Sequence, residues 1–455
     1  MMKGSTAMRR DSQTRQRNDR SFNLRLAVIV AVWFGTSGRP AQALEIDQIV
    51  TPKGIEAWLV EEHSVPLVAI KFAFAGGGTQ DQPGKEGLAD LLSGALTEGA
   101  GDLDAAAFKQ RLSSLGSQLS FSSGRDALTG GLETLSKRLE ASAELLRLAL
   151  VAPRFDPDAV DRVRMQRLNE LAYAANEPRG VALDRWYVEA FQGQPYGRPI
   201  KGTQQSVQLI TRADIQVQHA RLLARDTLKI IIVGDIEKDS AAQLIDTIFG
   251  ALPEKAQLQK FGRLEPQPVA APIVISKDQP LATAAFGMAS LGKGHPDFSA
   301  LQVLNHIIGS GDFDSSLMEE IRVKRGLAYS INTSLLHDSM ASLMLGGFAT
   351  KNENMAEALG VLKDVLARTV REGPTAAQFN NAKRYLMGSF LLDFDTNSKI
   401  ASSLLRIWLD GQGVEYLSSR NKAIERVTLD DVKRIASQVL KSDQLIITIV
   451  GRPVL

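Results

Sequence analysis

Leu67–Ala75 (LVAIKFAFA) alternates on a period of two, which predicts a strand there, with another before it over 55–60. Apolar positions then recur at helical spacing over about 86–98 and again over 104–115. The chain returns to short strands at 118–122 and near 127–132, and helices are predicted at 136–150, 157–175 and 180–192. A helix opened by Thr211 and a β-branched strand ending at Gly234 close the series. Strands and helices mix without regular βαβ alternation. The expected fold class is therefore α+β, a sheet with helices on one face.

The closing pattern occurs twice. Residues 210–236 and 427–453 align at an offset of 217, which pairs Thr211 with Thr428, Asp214 with Asp431, Asp226 with Asp443, Leu228 with Leu445 and Gly234 with Gly451. A second echo lies at an offset of 210. It pairs Gly101-Asp102-Leu103-Asp104 with Gly311-Asp312-Phe313-Asp314, and Leu119-Ser120-Phe121 with Tyr329-Ser330-Ile331. Two echoes in the same order predict a duplicated domain of about 210 residues. The expected division is a first unit over 44–251, a linker over 252–272 and a second unit over 273–455. Pro253, Pro266, Pro268 and Pro272 punctuate the linker and favour extended chain.

Composition narrows the chemistry. The 455 residues are 44% hydrophobic and 23% charged, ordinary globular values with enough chain for a large core. The absence of cysteine excludes a disulfide framework, a thiolate zinc site, an iron–sulfur cluster and a cysteine nucleophile. A histidine-based metal site would have to draw on His63, His219, His295, His306 and His337. The formal charge of +2 hides an asymmetry, because residues 1–43 hold eight Lys/Arg against two Asp and the remainder carries 45 basic and 49 acidic residues. No nucleic-acid partner is expected from that balance. The basic segment runs into Leu26–Phe34 (LAVIVAVWF) and then Ala41-Gln42-Ala43, the order of an export signal. Its apolar core of nine residues is far short of the roughly 18 that span a bilayer. Residues 1–43 are expected to be a signal peptide cleaved after Ala43, giving a soluble periplasmic or secreted protein with no membrane attachment. A retained N-terminal anchor is the alternative.

Gly84-Lys85-Glu86-Gly87-Leu88-Ala89, Glu98-Gly99-Ala100-Gly101 and above all Asn305–Ser330 (NHIIGSGDFDSSLMEEIRVKRGLAYS) carry a resemblance. On these segments the chain resembles the pitrilysin/insulinase family of zinc metallopeptidases, over nearly all of its length after residue 43. The resemblance implies the family's fold of two duplicated sheet-plus-helices domains, as in the mitochondrial processing peptidases. Active members carry His-x-x-Glu-His on the first helix, where two His on one face bind zinc and the Glu activates water. Here Asp90 stands at the first His, Ser93 at the Glu and Gly94 at the second His. Glu170, 76 residues beyond Gly94, stands at the spacing of the family's third ligand. Its other reading is a solvated residue of the helix containing RMQRLNEL. One or two oxygens cannot build the three-ligand open site of catalytic zinc, so neither a metal nor a catalytic residue is expected on this chain.

The resemblance implies a different role for the second unit. Peptide-cleaving members use an Arg and a Tyr seven residues apart to hold the substrate backbone and stabilise the oxyanion over zinc bound by the other domain. The matching residues are Arg322 and Tyr329, expected as substrate-binding residues, with Arg325 a less well-placed candidate. On spacing alone they could equally be a surface helix charge and a core strand residue. The implied function is a non-catalytic subunit of a heterodimeric zinc peptidase. Its partner would be a homologous zinc-bearing chain, and the two would enclose a clam-like chamber that admits unfolded peptides. The sequence does not by itself separate heterodimer from homodimer. A scaffold or peptide-binding protein of the same fold, with no chemistry, is the alternative. A free-standing enzyme is disfavoured by the missing cysteine, the scattered histidines and the absence of a Gly-x-Ser-x-Gly elbow.

Other motifs are read as structural. Gly76-Gly77-Gly78 before Gly84-Lys85 lacks the spacing and the Ser/Thr of a phosphate loop. Gly309-Ser310-Gly311 is expected as a plain turn, His306 as a core or helix-surface residue, and Met340, Leu343, Met344 and Leu345 as part of a buried strand.

Overall fold

A computed structural model describes residues 44–455, so the expected signal peptide lies outside the described residues. Two mixed sheets organise the chain. The first runs Asp47–Val50, Glu56–Glu61, Lys229–Gly234, Leu67–Ala75, Ala127–Leu135 and Gln118–Ser123 from edge to edge. The second runs Ile273–Ser276, Ile446–Gly451, Leu281–Ala289, Ser342–Lys351 and Ala328–His337. Strand for strand, the second repeats the first without its outermost member. One parallel pair sits at the same place in each, Glu56–Glu61 beside Lys229–Gly234 and Ile273–Ser276 beside Ile446–Gly451. The other neighbours are antiparallel.

The repeated sequence features occupy equivalent places. Ile230–Val233 and Ile446–Val450 are β-branched runs, buried on both faces, as suits strands covered from two sides. The helices before them, Arg212–Leu222 and Leu429–Val439, both open with a capping box, Thr211 with Asp214 and Thr428 with Asp431. Leu119-Ser120-Phe121 and Tyr329-Ser330-Ile331 lie on the edge strands farthest from the parallel pair.

Element ends differ from expectation where tertiary contacts intervene. The helix expected over 86–98 spans only Leu88–Ala95. Its start is set by Asp81, whose buried carboxylate accepts from the backbone N–H of Gly87 (2.9 Å) and Ala89 (3.0 Å). Gly87 has φ 92°, and a Cβ there would lie 2.6 Å from the Lys201 carbonyl oxygen, so the bend needs glycine. The helix expected over 136–150 begins with a single 3₁₀ turn, Ser136–Arg138, before the α-helix Leu139–Val151.

Helices cover both faces of each sheet, not one. The second face of each sheet is covered by a helix from the other half of the chain. Pro178–Ala190 lies on the second sheet, where the Trp186 indole N–H donates to the Ile446 carbonyl (3.1 Å) and the Thr448 hydroxyl donates to the Ala182 carbonyl (2.6 Å). Trp186, Tyr187, Phe191 and Tyr196 share a buried cluster with Leu343, Leu345 and Ile446. Reciprocally, Asn397–Leu409 lies on the first sheet. Trp408 stacks on Trp58 with centroids 4.7 Å apart, and Lys229 Nζ donates to the Trp408 carbonyl (2.7 Å). Glu45–Leu455 accordingly packs as one compact unit.

Residues 252–272 hold no helix or strand, but the segment is tied down. Gln80 and Gln259 exchange hydrogen bonds (3.1 and 2.8 Å), Leu264 N–H donates to the Met340 carbonyl (2.7 Å), and Gln267 N–H donates to the Ala190 carbonyl (2.8 Å). Among the described residues no helix is long and apolar enough to cross a membrane.

Candidate functional site

Two groups of residues singled out in the sequence come together as two separate clusters. The first lies between the Leu88–Ala95 helix and the Pro157–Ala174 helix. Asp90 is buried, and the Arg167 guanidinium reaches it, with Nε 2.9 Å from Oδ2. The angle there makes an ion pair and not a hydrogen bond, since Nε has no hydrogen-bond partner. Arg167 Nη1 also donates to Glu170 Oε2 (2.7 Å), and Gln166 Nε2 donates to Glu170 Oε1 (2.9 Å). One guanidinium thus joins both carboxylates. Burial pushes the Asp90 carboxyl up, against the pull of Arg167 and Lys201. Glu170 also feels burial, but the hydrogen bonds from Arg167 and Gln166 outweigh it and hold its carboxyl down. Ser93 turns its hydroxyl back to the Asp90 carbonyl (2.7 Å). Gly94 faces Val163 and Arg167, and a Cβ there would meet Val163 Cγ1 at 2.8 Å and Arg167 Nη2 at 3.2 Å.

These residues do not fit a catalytic zinc. Such a site needs three protein donors and an open position. Asp90 and Glu170 offer two carboxylates already paired with a fixed cation, and Gly94 offers nothing. Among the described residues, no group of three or more His, Asp or Glu is arranged to hold a metal.

The second cluster is built on the second half. Arg322 lies on the π-helix Met318–Val323, and Tyr329 lies on the edge strand Ala328–His337. Gly326, at φ 63°, turns the chain between them. The register of the edge strand shifts between Ala328 and Ile331, a bulge that spans Tyr329. Bulges re-aim side chains, and Tyr329 is 81% exposed, where a core position would be covered. The Arg322 guanidinium carbon lies 4.2 Å from the Tyr329 ring centroid and 4.6 Å from that of Phe313, itself 60% exposed. Cation–π contacts of this kind contribute about 0.5–1 kcal/mol each at exposed sites. No carboxylate among the described residues pairs with Arg322, which is half-buried against these two rings.

Arg325 is placed differently. Its Nη1 donates to the Glu320 side chain (2.5 Å) and to the Glu320 carbonyl (2.9 Å). Lys324 and Arg368 also bind this carboxylate (3.0 and 2.9 Å). The Arg325 hydrogen bond, helped by those from Lys324 and Arg368, outweighs burial and holds the Glu320 carboxyl down at about 2. Glu320 thereby ties Arg325 down, whereas Arg322 rests on the Phe313 and Tyr329 rings. His306 is buried and stacks on Tyr385 (4.6 Å between centroids).

The insulinase (peptidase family M16) model matches residues 58–204, and a model described as the peptidase M16 inactive domain matches residues 209–386. The chain belongs to the insulinase family. It is 26% identical over 409 residues to a Helicobacter pylori protein named non-peptidase homolog YmxG, with 90% of this chain and 93% of that protein covered. It is 25% identical over 373 residues to the mitochondrial-processing peptidase subunit beta of Lentinula edodes, with 78% of each covered. Among solved structures, a peptidase M16 inactive domain from Pseudomonas fluorescens superposes with a TM-score of 0.84 at 26% identity, covering 90% of this chain and 98% of that one. The two-sheet α+β architecture read from the sequence is that of this insulinase-family neighbour.

Sequence reasoning found Asp90, Gly94 and Glu170 but missed Arg167, and it treated Phe313 only as part of a repeat. The segment Arg162–Arg167 offers three arginines, and only the fold shows which one reaches Asp90. The crowding of position 94 by Val163 and Arg167 could not be read from spacing.

Proposed function

We propose that this insulinase-family chain is the non-catalytic subunit of a two-chain zinc peptidase. A homologous partner bears the zinc, and this chain contributes Arg322 and Tyr329 to the partner's site. The observation that carries the reading is an asymmetry between the two clusters. The family's metal positions are closed by an internal ion triad. The Arg–Tyr pair, by contrast, is assembled, with Tyr329 exposed and the half-buried Arg322 without a carboxylate partner among the described residues. A guanidinium offers a fixed positive fork and a phenol one directed donor. Such groups can hold a peptide backbone and donate to the oxygen that gains charge as the carbonyl is attacked. Unfolded peptides are the substrate class, received in a chamber between the two chains. Residues 1–43 direct export, so the pair works in the periplasm or outside the cell.

Co-expression with a zinc-bearing relative tests this. Peptide hydrolysis is expected only when both chains are present. Arg322→Ala or Tyr329→Phe should lower turnover about 100-fold, the scale of losing one oxyanion donor, while size-exclusion chromatography shows the complex intact. Full turnover by both variants would sink the shared site. The likeness to a protein named a non-peptidase homolog favours a second reading, a scaffold of the same fold. That reading expects the same complex and no effect of either substitution.

A further inference from the structure

We infer that Arg167 is a protein-borne cation standing in the place of the family's metal: it joins the Leu88–Ala95 helix to the Pro157–Ala174 helix and bars divalent cations from the site. Three observations converge on this. Among the described residues Arg167 forms ion pairs with both Asp90 (2.9 Å) and Glu170 (2.7 Å), the positions that match the first and third metal ligands, while Lys201 acts on both without a direct ion pair. Its Nη2 reaches the space beside Gly94, the position of the remaining ligand, where a Cβ would sit 3.2 Å away. Asp90 is buried, so its charge needs a partner on the spot. A guanidinium cannot lose its proton in a protein, so this positive charge is permanent where a metal's is exchangeable. It also holds no water to activate. Gly94 and Arg167 therefore go together, since a side chain at 94 would press on Val163 Cγ1 (2.8 Å) and crowd the guanidinium beyond it (3.2 Å). This holds whether or not a zinc-bearing partner exists.

The test rebuilds the ligands. One variant carries D90H, S93E and G94H and so presents two His beside the native Glu170; a second adds Arg167→Ala. Both, with the unsubstituted chain as blank, are incubated with zinc chloride, dialysed and assayed for zinc per chain. The expected result is no zinc above the blank with Arg167 in place and about one zinc per chain once it is gone. Equal, stoichiometric zinc in both variants would overturn the inference, as would a quadruple variant that stays empty, because Arg167 would then not be the barrier. A histidine at position 94 meets Val163 as well and could unfold the chain, so a second measurement needs no new ligand. Asp90→Asn, Arg167→Met and the double variant are melted in the native background. Each single change should lower Tm by about 3 °C or more, and the double should lose less than the sum of the two. An unchanged Tm for Arg167→Met would show that the guanidinium joins nothing.

Discussion

Glu320 and His337 are two single residues with opposite wiring. Glu320 is surrounded by Lys324, Arg325 and Arg368, with its carboxyl held at about 2 against an ordinary 4.5. The folded chain therefore binds fewer protons than the unfolded one in that interval. The stabilisation is complete above pH 4.5 and is lost as pH falls through about 2. Glu320→Gln should flatten acid unfolding in that window, as followed by circular dichroism against pH. His337 has both ring nitrogens buried without a hydrogen-bond partner, and its ring meets the Phe298 edge at 4.7 Å. Burial, with repulsion from Lys293, pushes the imidazole down to about 4. His337→Phe removes two unsatisfied nitrogens at similar volume and should raise stability by about 1 kcal/mol in urea titrations at pH 7. Residues of this kind are poorly legible in sequence. The Arg322–Tyr329 pair could be named because its two members sit close in the chain within a recognisable segment. Arg167 and Glu320 take their roles from partners brought in by folding.

At the scale of elements, what is local was legible. Thr211 and Thr428 were recognisable as caps because a capping box is written within four residues, and both boxes are present. Thr211→Ala and Thr428→Ala should each cost about 1 kcal/mol, measured by chemical denaturation. The segment around Gly309 was not legible. It reads as a turn, yet His306–Ser310 is a π-helix. There Gly309 presses on the neighbouring strand, where a Cβ would lie 2.4 Å from Thr333 Oγ1 and 2.9 Å from its backbone N. The Thr333 hydroxyl also donates to Asn305 Oδ1 (2.7 Å), just before the irregular turn. A close approach to a strand 24 residues away leaves no local periodic mark. Gly309→Ala should force that strand and helix apart, with a loss of stability and altered amide exchange along Ala328–His337.

For the whole molecule, the duplication was visible in two offset echoes, and the two sheets repeat each other in order and direction. The traded helices were invisible. The pattern of Pro178–Ala190 announces an apolar face but cannot say which sheet receives it. Trp186 is fully buried against the second sheet, and Trp186→Ala should cost about 3–5 kcal/mol in denaturant unfolding although it lies in the first half of the chain. The trade also bears on how such a chain could have arisen. Two copies of one ancestral polypeptide, each lending a helix to its twin, would make the same architecture as a symmetric pair, and gene fusion through 252–272 would only string that pair onto one thread. Cutting the thread should then be reversible. Residues 44–251 and 273–455 made separately would each expose a bare sheet and aggregate, whereas made together in one cell they should find each other and co-purify as a soluble whole.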